Sequence, residues 1–117
     1  MWTYRARLLK IVDGDTLDVV IDAGFNSFRH ERLRLLGVNT PEMKGTTKVE
    51  GSLSKEFTRT WLIEAGVRAA DRDWPLVIVT RKSDVFGRYL ATVYSDDAER
   101  CLNDDLVLGG LAVKDVR

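Results

Sequence analysis

Three segments that alternate in polarity or are rich in β-branched residues, 4–12, 16–22 and 30–38, follow one another in the first third of the chain. Asp13-Gly14-Asp15 separates the first two, and a stretch of seven residues opening with Ala23-Gly24-Phe25-Asn26-Ser27 separates the last two. Period-two alternation turns one face of a strand to a core and the other to water, and short Gly, Asp and Asn clusters reverse the chain. Tyr4–Val12, Thr16–Asp22 and His30–Val38 are therefore expected to form an antiparallel β-meander. In the third strand Leu33 and Leu35 share one face, and Arg32 and Arg34 the other. Pro41 ends that strand, because it cannot donate to a ladder and restricts Thr40 before it.

Beyond Pro41 the pattern changes period. After a loop over 43–51, Ser52 is a plausible N-cap, Leu53, Phe57 and Trp61 recur at helical spacing, and Gly66 stands where a helix would stop. Leu76–Thr80 and Gly87–Tyr94 read as two more strands. Asn103 is expected to cap a short helix whose first turn carries Asp104 and Asp105, closed by Gly109 and Gly110. The order is three strands, helix, two strands, helix. This is an α+β chain, mainly β, in the order of a five-stranded OB-fold barrel with two helices, an order that other small α+β barrels share.

A chain of 117 residues has room for one core, so residues 1–117 are expected to form a single domain. The lone cysteine, Cys101, cannot build an internal disulfide framework, and the only histidine, His30, lies far from it in sequence, which argues against a Cys/His nucleophile. Apolar runs fall well short of the ~20 residues of a membrane span, and no signal-peptide pattern opens the chain. The expectation is a soluble, cytoplasmic monomer with no membrane partner.

Net charge is zero, with 18 basic and 18 acidic residues, so composition alone does not point to nucleic acid. The charges are nevertheless segregated: bases outnumber acids between Arg29 and Arg59, and acids outnumber bases from Asp96 onward. Asp13 and Asp15 end one strand, and Asn39-Thr40-Pro41-Glu42 ends another in the same meander. Carboxylate, amide and carbonyl oxygens from two strand ends can serve a hard cation such as calcium, whereas the Cys and His clusters that zinc requires are missing from the sequence. Arg34, out of phase with Leu33 and Leu35, and Arg88, after Gly87, are suited to grip phosphate, since guanidinium donors match its oxygens.

Taken in order, Asp13-Gly14-Asp15-Thr16, Arg34-Leu35-Leu36-Gly37-Val38-Asn39-Thr40-Pro41-Glu42, Phe86-Gly87-Arg88 and Leu106-Val107-Leu108-Gly109-Gly110-Leu111-Ala112 resemble the thermonuclease-like (staphylococcal nuclease-like) domain. The resemblance runs from Tyr4 to about Val113. It implies a five-stranded OB barrel and a calcium-dependent nuclease acting on DNA and RNA with little sequence preference, leaving 3′-phosphate ends. It further implies that Arg34 and Arg88 clamp the phosphate and that Glu42 orients or deprotonates the attacking water. Asp15 would be the principal metal carboxylate, with the Thr40 carbonyl and position 39 beside it, Asp13 farther out, and Asp84 shaping the loop before Arg88. Phe86, Lys44 and Lys48 would contact nucleic acid.

The chain departs from that family pattern in several places. Asn39 stands where an aspartate is usual, keeping an oxygen and losing a charge. Phe86 keeps a ring for base stacking without the hydroxyl of the usual tyrosine, and Val85 replaces a frequent lysine. A further tyrosine has no counterpart after Ala112. These changes imply weaker calcium and substrate binding. They leave a second reading open, an OB-fold module that binds nucleic acid or protein without turnover.

Overall fold

The computed structural model describes residues 1–81 and 88–115. In chain order its elements are β1 (Trp2–Asp13), β2 (Thr16–Asp22), β3 (Phe28–Leu35), β4 (Val38–Asn39), a single 3-10 turn at Gly45–Thr47, α1 (Lys48–Arg68), β5 (Leu76–Arg81), β6 (Tyr89–Ser95), α2 (Leu102–Leu108) and β7 (Val113–Lys114). β1 is 12 residues long and serves two neighbours. Its Arg5–Asp13 stretch pairs with β2, and its Trp2–Ala6 stretch with β5. Register breaks between Leu8 and Lys10 and between Ile11 and Asp13 bend it from one partner to the other, as bulges do in barrels.

The sheet closes as β1-β2-β3-β6-β5 through a parallel contact between β3 and β6, Leu33 to Leu35 beside Tyr89 to Ala91. This is the expected five-stranded OB barrel with two helices, mainly β. Alternation fills its interior with Ala6, Leu17, Val19, Leu33, Leu35, Ile78, Ala91 and Val93. α1 closes it with Trp61, Leu62 and Ala65, and α2 with Leu102 and Leu106. Among the described residues no helix is long and apolar enough to cross a membrane.

Several boundaries differ from those expected, each for a physical reason. The third strand breaks at Gly37, whose φ of +75° turns the chain. Val38–Asn39 then becomes β4 and pairs with β7 rather than prolonging β3. α1 starts at Lys48, so Ser52 lies inside it, and it passes Gly66 to end at Arg68. Leu53 is 56% exposed while Trp61 is 5% exposed, because i, i+4, i+8 positions drift around a helix of 3.6 residues per turn. Asn103 is not a cap. Buried at 4% exposure, its amide accepts from the Val93 N–H (3.0 Å) and donates to the carbonyls of Leu36 (2.9 Å) and Ala91 (3.1 Å). It thereby ties α2 to β6 and to the turn after β3.

Polar pairs support the outer faces. Across the β2–β3 register, Asp18 accepts from Arg32 Nε at 2.7 Å and from Nη2 at 3.1 Å, and this bond holds its carboxyl below the ordinary aspartate range. A depressed folded pKa contributes stability above the unfolded value, about 3.9, and that stability is lost as pH falls through the folded value. Water and salt screen the half-exposed Arg32, so the pair adds only a little to stability. Asp18→Asn is expected to lower Tm at pH 7 by no more than about 5 °C, with the gap to the parent closing as pH drops below about 3.9 in thermal melts.

Candidate active site

The sequence Asp13-Gly14-Asp15 forms the tight connection between β1 and β2, and the pairing of Thr16 with Arg34 carries that connection to the end of β3. Asp15, 8% exposed, is the centre of the resulting cluster. Its Oδ1 accepts from the Thr16 hydroxyl at 3.1 Å, and its Oδ2 accepts from the Thr40 N–H at 3.0 Å and faces Arg34 Nη2 at 3.2 Å. The Arg34 guanidinium also donates through Nη1 to the carbonyls of Leu35 (3.0 Å) and Val38 (2.8 Å), and through Nη2 to the Asn39 side-chain oxygen. Arg34 is thus the counter-charge that satisfies Asp15 here.

Four of the residues expected from sequence therefore meet: Asp15, Arg34, Asn39 and Thr40. Asp13 lies beside them. Burial pushes its carboxyl above the ordinary aspartate range and Asp15 adds to this, Lys55 opposes it, Glu42 raises it further, and Arg34 again opposes it. Glu42 and Lys55 are thereby placed within electrostatic reach of the same corner. Arg88 sits one residue before β6 and is half-buried. Because Arg34 pairs with Leu90 on the parallel neighbour, position 88 has the same outward parity as Arg34. Lys44 and Lys48 are exposed on the segment between Glu42 and the body of α1. Phe86, with Asp84, Val85 and Gly87, lies outside the described residues.

Residues that the sequence did not single out hold this corner in place. Thr58, fully buried on α1, donates to the Gly14 carbonyl at 2.8 Å, and Ser54 donates to the Leu111 carbonyl at 2.6 Å. A Cβ at Gly14 would stand 3.0 Å from Ser54 Cβ and from Thr40 Cγ2, so the glycine answers a need for space. Gly51 is the stronger case. A Cβ there would lie 2.5 Å from the Glu42 carbonyl oxygen and 2.7 Å from its carbon, so only glycine lets α1 approach the backbone that carries Glu42. The Thr47 hydroxyl donates to the same carbonyl at 2.8 Å. A glycine inside a helix costs about 1 kcal/mol in propensity, and that cost is the one signal that could have marked Gly51.

The oxygens assembled at Asp15 are hard ones, its own carboxylate and the Asn39 amide oxygen, with the Thr40 N–H donating to that carboxylate. That set suits a hard divalent cation whose remaining positions are filled by water. Among the described residues no cluster of three or more His, Cys, Asp or Glu side chains could hold a metal by itself. Asp15 would therefore share an ion with neutral oxygens. Cys101 takes no part, since burial pushes its thiol above the ordinary range, away from the thiolate a nucleophile needs.

A shallow cleft of about 360 Å³ adjoins the cluster, lined by Asn39, Thr40, Pro41, Glu50, Leu53 and Ser54 on one side and residues 110–113 on the other.

Residues 32–117 match the family described as Staphylococcal nuclease homologue, a span that contains Arg34, Asn39, Thr40, Glu42 and Arg88. The chain is 32% identical over 113 residues to a thermonuclease of Staphylococcus hyicus, covering 94% of this chain and 57% of that protein. It is 35% identical over 107 residues to a thermonuclease of Staphylococcus intermedius, covering 88% of this chain and 55% of that protein. It thus spans little more than half the length of both relatives. With the barrel, the cluster and these matches taken together, the chain belongs to the staphylococcal nuclease homologue family.

Proposed function

We propose that this domain is a calcium-dependent nuclease that hydrolyses phosphodiester bonds of DNA or RNA with little sequence preference and leaves 3′-phosphate ends. The observation that carries the reading is the convergence of Asp15, Arg34, Asn39 and Thr40 at one barrel corner, with Glu42 in electrostatic reach of it and Arg88 just before the adjoining strand β6. Asp15, Asn39 and the Thr40 carbonyl would hold the cation. A bound divalent ion supplies positive charge to a phosphate oxygen and to the group displaced from it.

The chain's own residues do the rest. Arg34 on β3 and Arg88 just before β6, of one parity across the β3–β6 pairing, present guanidinium donors to the equatorial oxygens as charge grows there. Arg34 now gives Nη2 to Asp15 and Asn39, so its grip on phosphate strengthens when that carboxylate is neutralised otherwise. Glu42, exposed just beyond Pro41, accepts a proton from the attacking water or orients it. Lys44 and Lys48 add positive charge along the approach, and Phe86 offers a ring for a base. End-labelled single-stranded DNA and RNA incubated with calcium should yield fragments whose mobility changes on phosphatase treatment. Fragments ending in a free 3′-hydroxyl would contradict the product assignment.

The rival, a binding module without turnover, draws on Asn39 and on the engagement of Arg34 within the protein. Asn39→Asp separates the two. A carboxylate attracts a divalent ion as an amide oxygen does not, even after part of the gain goes to a tighter hold on Arg34. Calorimetric titration of the folded variant should show calcium affinity raised on the order of tenfold. Unchanged or weaker affinity would remove position 39 from the metal site.

A further inference from the structure

The outward face of β3 carries a file of side chains of which the candidate site uses only the last. Phe28, His30, Arg32 and Arg34 share one parity along the strand, opposite Leu33 and Leu35 in the core, and follow one another in steps of about 7 Å. Across the β1–β2–β3 register Arg7 joins the same face, in one row with Val20 and His30. Trp74, just before β5, packs onto it. Its ring stacks on Phe28 with centroids 5.6 Å apart and planes 11° from parallel, and the Arg7 Cζ stands 4.7 Å from the centre of the indole. Trp74 thus covers one face of the Phe28 ring, yet Phe28 is 56% exposed, so the other face is open.

The chemistry of this face selects its occupant. Its β2 carboxylates have partners of their own: Asp18 holds Arg32, and Asp22 accepts from the Gly24 N–H at 3.0 Å. Arg7 and His30 are exposed, and among the described residues neither has an ion pair. A guanidinium stacked on an indole keeps its N–H edge for an anion, and an imidazole offers a ring N–H. An apolar protein or lipid surface would leave these donors unused. A strand that alternates anionic phosphates with flat, unpaired bases meets both the donors and the open ring. The file ends at Arg34, the candidate phosphate clamp, so a strand gripped there has this face before it. We propose that the single strand held at Arg34 continues along the outward face of β3, with a base stacked on Phe28 and phosphate oxygens on Arg7 and His30. The proposal rests on the reading of Arg34 as a phosphate ligand.

Fluorescence anisotropy of a labelled twelve-nucleotide oligothymidylate, titrated with the full chain in excess chelator, tests it without interference from cutting. Phe28→Ala and Arg7→Gln should each weaken binding about tenfold, with circular dichroism unchanged, and Phe28→Tyr, which keeps the ring, should bind as the parent does. The two losses differ in kind. Arg7→Gln should lower the slope of log affinity against log salt by about one, and Phe28→Ala should leave it unchanged. An abasic strand of the same length should be bound equally by the parent and by Phe28→Ala. Parental affinity in both folded variants, an equal loss on the abasic strand in Phe28→Ala, or a parent that binds no oligonucleotide would each overturn the proposal. Cutting in calcium is scored separately: a chain that binds with these losses but never cuts contradicts the nuclease reading, and one that cuts while both substitutions leave binding intact contradicts the β3 path alone.

Discussion

Arg88→Ala and Glu42→Gln are each expected to lower the turnover of single-stranded DNA by about 10²-fold or more, with melting temperatures near that of the parent. Neither side chain belongs to the barrel core: Arg88 stands half-buried before β6, and Glu42 is exposed beyond Pro41. Their removal therefore costs the fold little. In the proposed mechanism the guanidinium meets the charge that accumulates on phosphoryl oxygens in the transition state, where one lost donor is worth several kcal/mol. Glu42→Gln keeps the shape and removes the basicity. Single-turnover cleavage with labelled oligonucleotide measures the effect. Near-parental rates in both folded variants would show that the chemistry lies elsewhere.

Gly51→Ala is expected to damage fold and catalysis together. The added methyl would sit 2.5 Å from the Glu42 carbonyl oxygen, which is backbone and cannot swing aside. α1 must then move off the 41–42 segment, at a cost of about 1–3 kcal/mol of the kind seen when a packed contact is overfilled. Alanine's better helix propensity, about 1 kcal/mol, offsets part of that cost. The displacement reaches Glu42, and a shift of about 1 Å in a catalytic group can cost 10²-fold in rate. Urea denaturation and cleavage assays on one preparation should show both losses. A variant as stable and as active as the parent would mean that α1 does not set the position of Glu42.

Much of the barrel was legible because alternation is a local signal. The meander, the two later strands and the order of elements follow from residues a few positions apart. What was not legible depends on partners distant in sequence. Val38–Asn39 leaves the third strand to pair with Val113–Lys114, which no local pattern announces. Gly51 reads as a loop residue until the Glu42 backbone is seen against it, and so the helix seemed to begin at Ser52. Asn103, placed before two aspartates, has the sequence of a cap, yet its amide is consumed by Val93, Leu36 and Ala91. Ser54 and Thr58 look like polar surface positions and are buried, because carbonyls of Leu111 and Gly14 wait for their hydroxyls.

The candidate site divides in the same way. The ordered motifs around Asp15, Arg34, Asn39, Thr40, Glu42 and Arg88 could be read along the chain, and the β2–β3 register explains why Asp15 and Arg34 meet. The occupation of Arg34 by Asp15, Asn39 and two carbonyls could not, since it depends on the Gly37 turn folding β4 back across the end of β3.

The most direct test of the account is the cutting of labelled single-stranded DNA by the wild-type chain in calcium, followed on a gel and repeated in excess chelator. Fragments that accumulate in calcium and stop appearing on chelation are the predicted result. Cutting that continues undiminished in chelator, or no cutting with any divalent ion, would contradict it.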